Sequence, residues 1–167
     1  MSKYARLHGS SFAVAERVQC NRPPAWSKLV AIANAFLDSD VVLWLDADVF
    51  IKDFDRNIFE EFEESCVTAM AEHPNPPHLN TGVWLLRREM IPRLVEAAME
   101  DEFINHSWWE QAAVHRVLER HKDRVCGLGL EWNSFPGCLH ESPVFLHACG
   151  LHGHGEQLRQ ILEWDSQ

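Results

Sequence analysis

The chain has 167 residues, 46% hydrophobic and 24% charged, and carries a formal net charge of −10. That length points to a single domain spanning residues 1–167, able to bury roughly 68–70% of its unfolded surface. The acidic balance shows no cluster of Lys and Arg and so excludes a nucleic-acid binder; an anionic ligand would need a cation as intermediary. No apolar run reaches the roughly 18 residues of a membrane span, and no signal peptide opens the chain. The five cysteines, Cys20, Cys66, Cys126, Cys138 and Cys149, contain no CxxC spacing. They read as reduced thiols, which points to a cytoplasmic setting.

In chain order, residues 3–8 read as the end of a helix stopped by Gly9. "SFAVAERV" (11–18) reads as a strand. Pro23 and Pro24 open a helix of about 14 residues, with Trp26, Leu29, Val30, Ala33, Phe36 and Leu37 as its apolar stripe. Residues 41–46 form a strand buried on both faces, and "CVTAMA" (66–71) another. "HPNPPH" (73–78) reads as an extended loop, because proline disfavours helix at the preceding residue. A strand follows at 82–86. A helix covers 88–100, with Ile91, Leu94, Val95 and Ala98 inward, and a further helix covers 108–120. Short strands near 124–126 and 143–147 precede a last helix near 155–164. Strands alternating with helices predict an α/β protein with a mostly parallel sheet, in which ligands sit beyond the carboxyl ends of strands.

Asp46 and Asp48 stand at such an end, directly after the apolar run Val41–Leu45. In an extended chain, residues two apart face the same side. Two converging bare carboxylates repel, and a divalent cation removes the penalty; hard oxygen ligands suit Mn²⁺ or Mg²⁺. The plain alternative is a strand end followed by a solvated turn. A phosphohydrolase with an aspartate nucleophile also carries Asp-x-Asp after an apolar strand, but Phe50 stands where such enzymes commonly have Thr.

The segments "YARLHG" (4–9), "PPAWSKL" (23–29), "LWLDADVFI" (43–51), "LNTGVWLLR" (79–87), "WWEQAAV" (108–114) and "FLHACG" (145–150) occur in that order. Together they resemble the GT-A nucleotide-sugar glycosyltransferases, closest to glycosyltransferase family 34, the galactosyl-, mannosyl- and xylosyltransferase group. The resemblance implies a GT-A (Rossmann-like) three-layer α/β/α fold. It implies transfer of a hexose or pentose from a UDP- or GDP-sugar to a glycan or other hydroxyl acceptor, with retention. By resemblance, Asp46, Asp48 and His147 hold Mn²⁺ (or Mg²⁺). Lys28, Asp46, Asn80, Thr81, Gly82, Gly150 and His152 line the donor, and Glu110 and Gln111 are the catalytic candidates. The family often has Lys where His152 stands.

Several of these residues also have plain readings. His147 could be a hydrogen-bonded strand-end histidine, and Lys28 an exposed helix lysine. Asn80 to Gly82 could be a turn that starts a strand. Ser107 with Glu110 three later is a capping-box pattern. Trp108 and Trp109 could be core, or could offer a flat face to an acceptor sugar. A typical member of the resembled group starts with a strand and helix ahead of "YARLHG", and only Met1, Ser2 and Lys3 precede Tyr4. A sheet lacking that strand would expose an edge and favour homodimers. A silent metal- or glycan-binding module is the competing expectation, and a Golgi-lumenal catalytic fragment is the competing location.

Overall fold

The computed structural model describes residues 1–16, 18, 20–74, 77–135, 137–149, 159 and 163. Four helices are described: α1 (Ser2–Leu7), α2 (Ser27–Ala35), α3 (Ile91–Ala98) and α4 (Trp109–His121). Six strands accompany them: β1 (Val41–Leu45), β2 (Val49–Ile51), β3 (Thr68–Pro74), β4 (Pro77–Arg87), β5 (Val125–Leu128) and β6 (Phe145–His147). The main sheet has the order β1-β4-β3-β5, and β2 pairs with β6 in a second, small sheet. β4 is antiparallel to both its neighbours, while β3 and β5 are parallel. Three of the four strands therefore run one way and β4 alone is reversed.

Side chains alternate across the sheet with the period of two that a strand imposes. Met70, Trp84 and Leu86 face the layer of α2, α3 and α4, packing with Trp26, Leu29, Ile32, Leu94 and Val117. Ala69, Ala71, Val83 and Leu85 face the other side and pack with Tyr4 of α1, Val49, Trp132 and Phe145. This second core seats β2 and β6 against the main sheet, and so determines where the β1–β2 turn points. Pro24 sits at the start of a 3-10 turn that leads into α2, where its fixed φ and missing N–H are tolerated. Gly9 takes φ +66° just past α1, the left-handed conformation that glycine adopts without steric cost.

Several expectations need correction. Residues 11–16 form no strand; Phe12 and Val14 are exposed there, with no neighbouring strand to pair. The loop expected at 73–78 is instead the hairpin end of β3 and β4, with Pro74 paired to Pro77. Proline is tolerated at a strand's margin, where the ladder ends. Val95 and Leu37, expected inward, are exposed, because α3 buries Leu94 and Ala97 and α2 ends at Ala35. Cys66 and Cys126 are joined as a disulfide between the approach to β3 and β5, Cα atoms 5.9 Å apart, which corrects the reading of five reduced thiols. The cytoplasmic expectation loses the support it drew from them. Among the described residues no helix is long and apolar enough to cross a membrane. The helix expected at 155–164 lies almost wholly outside the described residues.

Candidate metal centre

β1 ends where Asp46 donates its backbone N–H to Gly82 O at 2.8 Å. A turn follows, closed by Val49 N–H to Asp46 O at 3.1 Å. Asp46 and Asp48 thus converge because the chain turns between them, not because it stays extended. The antiparallel pairing of β2 with β6 sets Val49 opposite His147, and Ala148 N–H donates to Asp48 O at 3.1 Å. His147 Nε2 then lies 3.3 Å from Asp48 Oδ1 and 3.9 Å from Asp46 Oδ2. One ligand atom from each of the three residues falls within 4.8 Å of the others. Neighbouring ligands of an octahedral cation stand about 3 Å apart, given metal–oxygen distances near 2.1 Å. Two carboxylates and one imidazole at this spacing fit a divalent cation of the Mn²⁺ or Mg²⁺ type.

A residue that sequence reasoning missed aims the imidazole. Asn133 is fully buried, and its Oδ1 stands 3.0 Å from His147 Nδ1. An amide oxygen only accepts, so Nδ1 carries the proton and Nε2 turns to the aspartates. Asn133 Nδ2 donates to Asn80 Oδ1 at 3.0 Å. Asn80 Oδ1 also accepts from Gly82 N–H at 2.8 Å, and Asn80 Nδ2 donates to His73 Nε2 at 3.1 Å. Asparagine is common in loops, and nothing near Asn133 in sequence marks its partners.

Burial would lower the His147 pKa, but Asp48 and Cys149 offset this and hold it up at about 9. Burial pushes the Asp48 carboxyl up, but the His147 hydrogen bond and charge, a backbone hydrogen bond and Lys28 together hold it below its usual range. A cation bound at Nε2 would take the place of that imidazolium proton.

A second cluster stands behind Asp46. Lys28 is buried, and its Nζ lies 3.0 Å from Asp46 Oδ1, 3.0 Å from Glu110 Oε1 and 3.2 Å from Thr81 Oγ1. Trp44 Nε1–H also donates to Asp46 Oδ1, at 2.6 Å. Burial alone would lower the Lys28 pKa; Asp46 and then Glu110 more than offset it and raise it. Burial raises the Glu110 pKa, with Lys28 pulling the other way. Gln111 Oε1 accepts from Thr81 N–H at 3.0 Å and lies 3.3 Å from Thr81 Oγ1.

The structure therefore joins Lys28, Asp46, Thr81, Glu110 and Gln111 in one network, and Asp48, His147, Asn133, Asn80 and Gly82 in an adjoining one. Gly150 and His152 lie outside the described residues. The capping box is not formed: Trp108 is the N-cap of α4 with no side-chain cap, and the Glu110 carboxylate goes to Lys28 instead. Trp109 opens α4 at φ +42°, a strained conformation for a bulky residue, costing about 1–3 kcal/mol.

No protein-family profile matches the chain, and no curated protein matches it by sequence. Solved structures do resemble it. A glycosyltransferase involved in glycosylation of the major capsid of PBCV-1 superposes with a TM-score of 0.77 at 19% identity, over 96% of this chain and 88% of that one. GlyE of Streptococcus pneumoniae TIGR4 gives 0.61 at 16% identity, over 98% of this chain and 48% of that one. The galactosyltransferase LgtC, solved with donor and acceptor sugar analogs, gives 0.57 at 14% identity, over 98% of this chain and 72% of that one.

The chain has the GT-A fold.

Within this GT-A domain the close approach at Gly82 is to His147 of the candidate metal centre. A Cβ at position 82 would lie 2.0 Å from His147 Cε1 and 2.6 Å from Nδ1. Gly82→Ala is expected to displace the imidazole, weaken Mn²⁺ binding by more than about tenfold, and destabilise the fold by about 1–3 kcal/mol. Calorimetric Mn²⁺ titration and urea unfolding of the variant check both.

His73 gives the domain an acid-sensitive stability. Burial, with His78 and His147 nearby, pushes its pKa down from 6.5 to about 4. The unfolded chain takes up this proton below pH 6.5, while the folded chain resists it until about pH 4. Its stability contribution is complete above pH 6.5 and is lost as pH falls from there to 4. His73→Phe, which keeps a ring against Phe135, is expected to flatten melting temperature against pH in that window.

Proposed function

We propose that the protein is a metal-dependent glycosyltransferase that moves a hexose or pentose from a UDP- or GDP-sugar to a hydroxyl acceptor such as a glycan. The observation that carries this reading is the convergence of Asp46, Asp48 and His147 at a strand-end turn, at the carboxyl end where α/β sheets bind ligands. That the solved neighbours are glycosyltransferases supports it.

Asp46, Asp48 and His147 would hold Mn²⁺ (or Mg²⁺), which acts as a Lewis acid on the departing diphosphate. Lys28 stays charged against two carboxylates and orients Asp46. Asn133 holds His147 with Nε2 turned to the aspartates, where a cation would take the place of its proton. Gln111 braces the Thr81 backbone, which fixes the stretch of β4 from Asn80 to Gly82 that would line the donor sugar. Glu110, engaged by Lys28, is not poised as a general base, and Gln111 is a poor one. Front-face attack by the acceptor hydroxyl, with its proton passing to the leaving phosphate as the sugar–phosphate bond breaks, needs no strong base and would retain anomeric configuration, as the resemblance to family 34 implies.

Calorimetric titration of UDP and GDP, with and without Mn²⁺, tests the reading. Binding that requires Mn²⁺ is expected, and the preferred base narrows the donor. A folded sample that binds neither nucleotide overturns it. Metal binding without hydrolysis or transfer from any nucleotide sugar would identify a silent GT-A module.

A further inference from the structure

Four aromatic rings form a continuous column beside Asn80 of β4. His73 lies flat on Phe135, with centroids 3.6 Å apart and planes 16° apart. His78 follows at 4.6 Å from His73, and Trp108 stacks on His78 at 4.2 Å and 18°. The column is tied to Asn80 by the bond from its Nδ2 to His73 Nε2. The His106 ring braces Trp108 edge-on, and His106 Nδ1 accepts the Trp108 backbone N–H at 3.1 Å. Trp108 is nonetheless 37% exposed and Trp109 48% exposed. Both precede Glu110 and Gln111 directly, and Trp109 carries the positive φ of the helix start.

An indole held by His78 and His106 yet exposed, next to a second exposed indole and beside a candidate reaction site, is not explained by core packing. Aromatic rings of this kind combine an apolar face with a polar tip. We propose that Trp108 and Trp109 form a binding platform for the pyranose ring of a saccharide. The C–H face of the sugar packs on the indole while its hydroxyls stay hydrated. As an acceptor subsite, this platform rests on the transferase reading above. A saccharide fits better than a lipid chain: Trp109 is the one exposed large apolar residue on α4, so no aliphatic groove continues along that helix.

The test is saturation-transfer NMR with methyl glycosides of glucose, galactose, mannose and xylose, in the presence of Mn²⁺ and UDP. It uses the full chain, Trp108→Ala, Trp109→Ala and Trp108→Phe, and UDP titrations on the same samples. Saturation of one ring face in at least one glycoside is expected. Either alanine variant should weaken that binding about tenfold, or about 1.4 kcal/mol, with UDP affinity unchanged, and Trp108→Phe should recover part of it. If the unmodified chain binds UDP but no glycoside, the platform is overturned and the transferase reading stands. If it binds a glycoside but no nucleotide, the platform stands and the transferase reading falls. Equal loss of UDP and glycoside binding in both alanine variants makes the indoles structural and overturns the proposal. Trp109→Ala and Trp108→Phe keep the test decisive should Trp108→Ala fail to fold.

Discussion

In the Asp48→Ala variant, Mn²⁺ is expected no longer to raise the melting temperature and nucleotide binding to be lost, while the fold persists. The Asp48 side chain is 25% exposed, and the partner its carboxylate faces at the centre is His147. Removing it costs about 1 kcal/mol of stability, the worth of an ordinary hydrogen bond, because His147 can give up its charge and keep its bond to Asn133. Metal affinity suffers far more. Loss of an outer-shell partner typically costs 10–100-fold, and loss of a charged ligand is expected to exceed about a hundredfold. Asp46→Ala should abolish Mn²⁺ binding equally but also destabilise the protein by about 1–3 kcal/mol, since Trp44 Nε1–H and the buried Lys28 both lose a partner. Thermal melts with and without Mn²⁺ separate the two effects, because a ligand stabilises only a fold that binds it. A normal Mn²⁺-induced shift in Asp48→Ala would remove this residue from the site.

Lys28→Met is expected to be the most damaging single change to stability. The Lys28 and Glu110 side chains are 9% and 5% exposed. Removing the cation leaves Glu110 buried beside Asp46 with no opposing charge. Breaking a buried pair in this way costs about 3–5 kcal/mol, and the partial exposure of Asp46 favours the lower end. For a domain of this size about 3 kcal/mol lowers the melting temperature by roughly 6–12 °C. The double variant Lys28→Met/Glu110→Gln should recover part of the loss, because the unpaired carboxylate is gone. Urea unfolding of the two single variants and the double variant measures the coupling. Additive effects would show that Lys28 and Glu110 act independently.

That 41–45 is a strand ending on two aspartates was legible because an apolar run ending on two acids is a local pattern, and so were the helices α2 and α4; that β1 is a half-buried edge strand, not one buried on both faces, was not. The hairpin at Pro74 and Pro77 was not, since prolines that break a central strand are harmless at a strand's margin. The capping-box alternative for Glu110 failed for a different reason. The Ser107–Glu110 spacing satisfies a local capping rule, but a buried lysine brought over by α2 offers its carboxylate a stronger partner. Asn133 left no trace in the sequence: its amide joins Asn80 to His147, residues held on two different strands.

Composition, hydrophobic period and the order of short motifs determined by themselves that this is an acidic α/β chain with two carboxylates at a strand end. Those properties depend on neighbours within a few residues. Only the tertiary structure decided what faces those carboxylates. The pairing of β2 with β6 brings in His147, Gly82 leaves room for its ring, Asn133 selects its tautomer, and Lys28 balances Asp46 against Glu110. These contacts join segments distant in the chain at separations near 3 Å, and such contacts depend on strand register and packing, which no local pattern specifies.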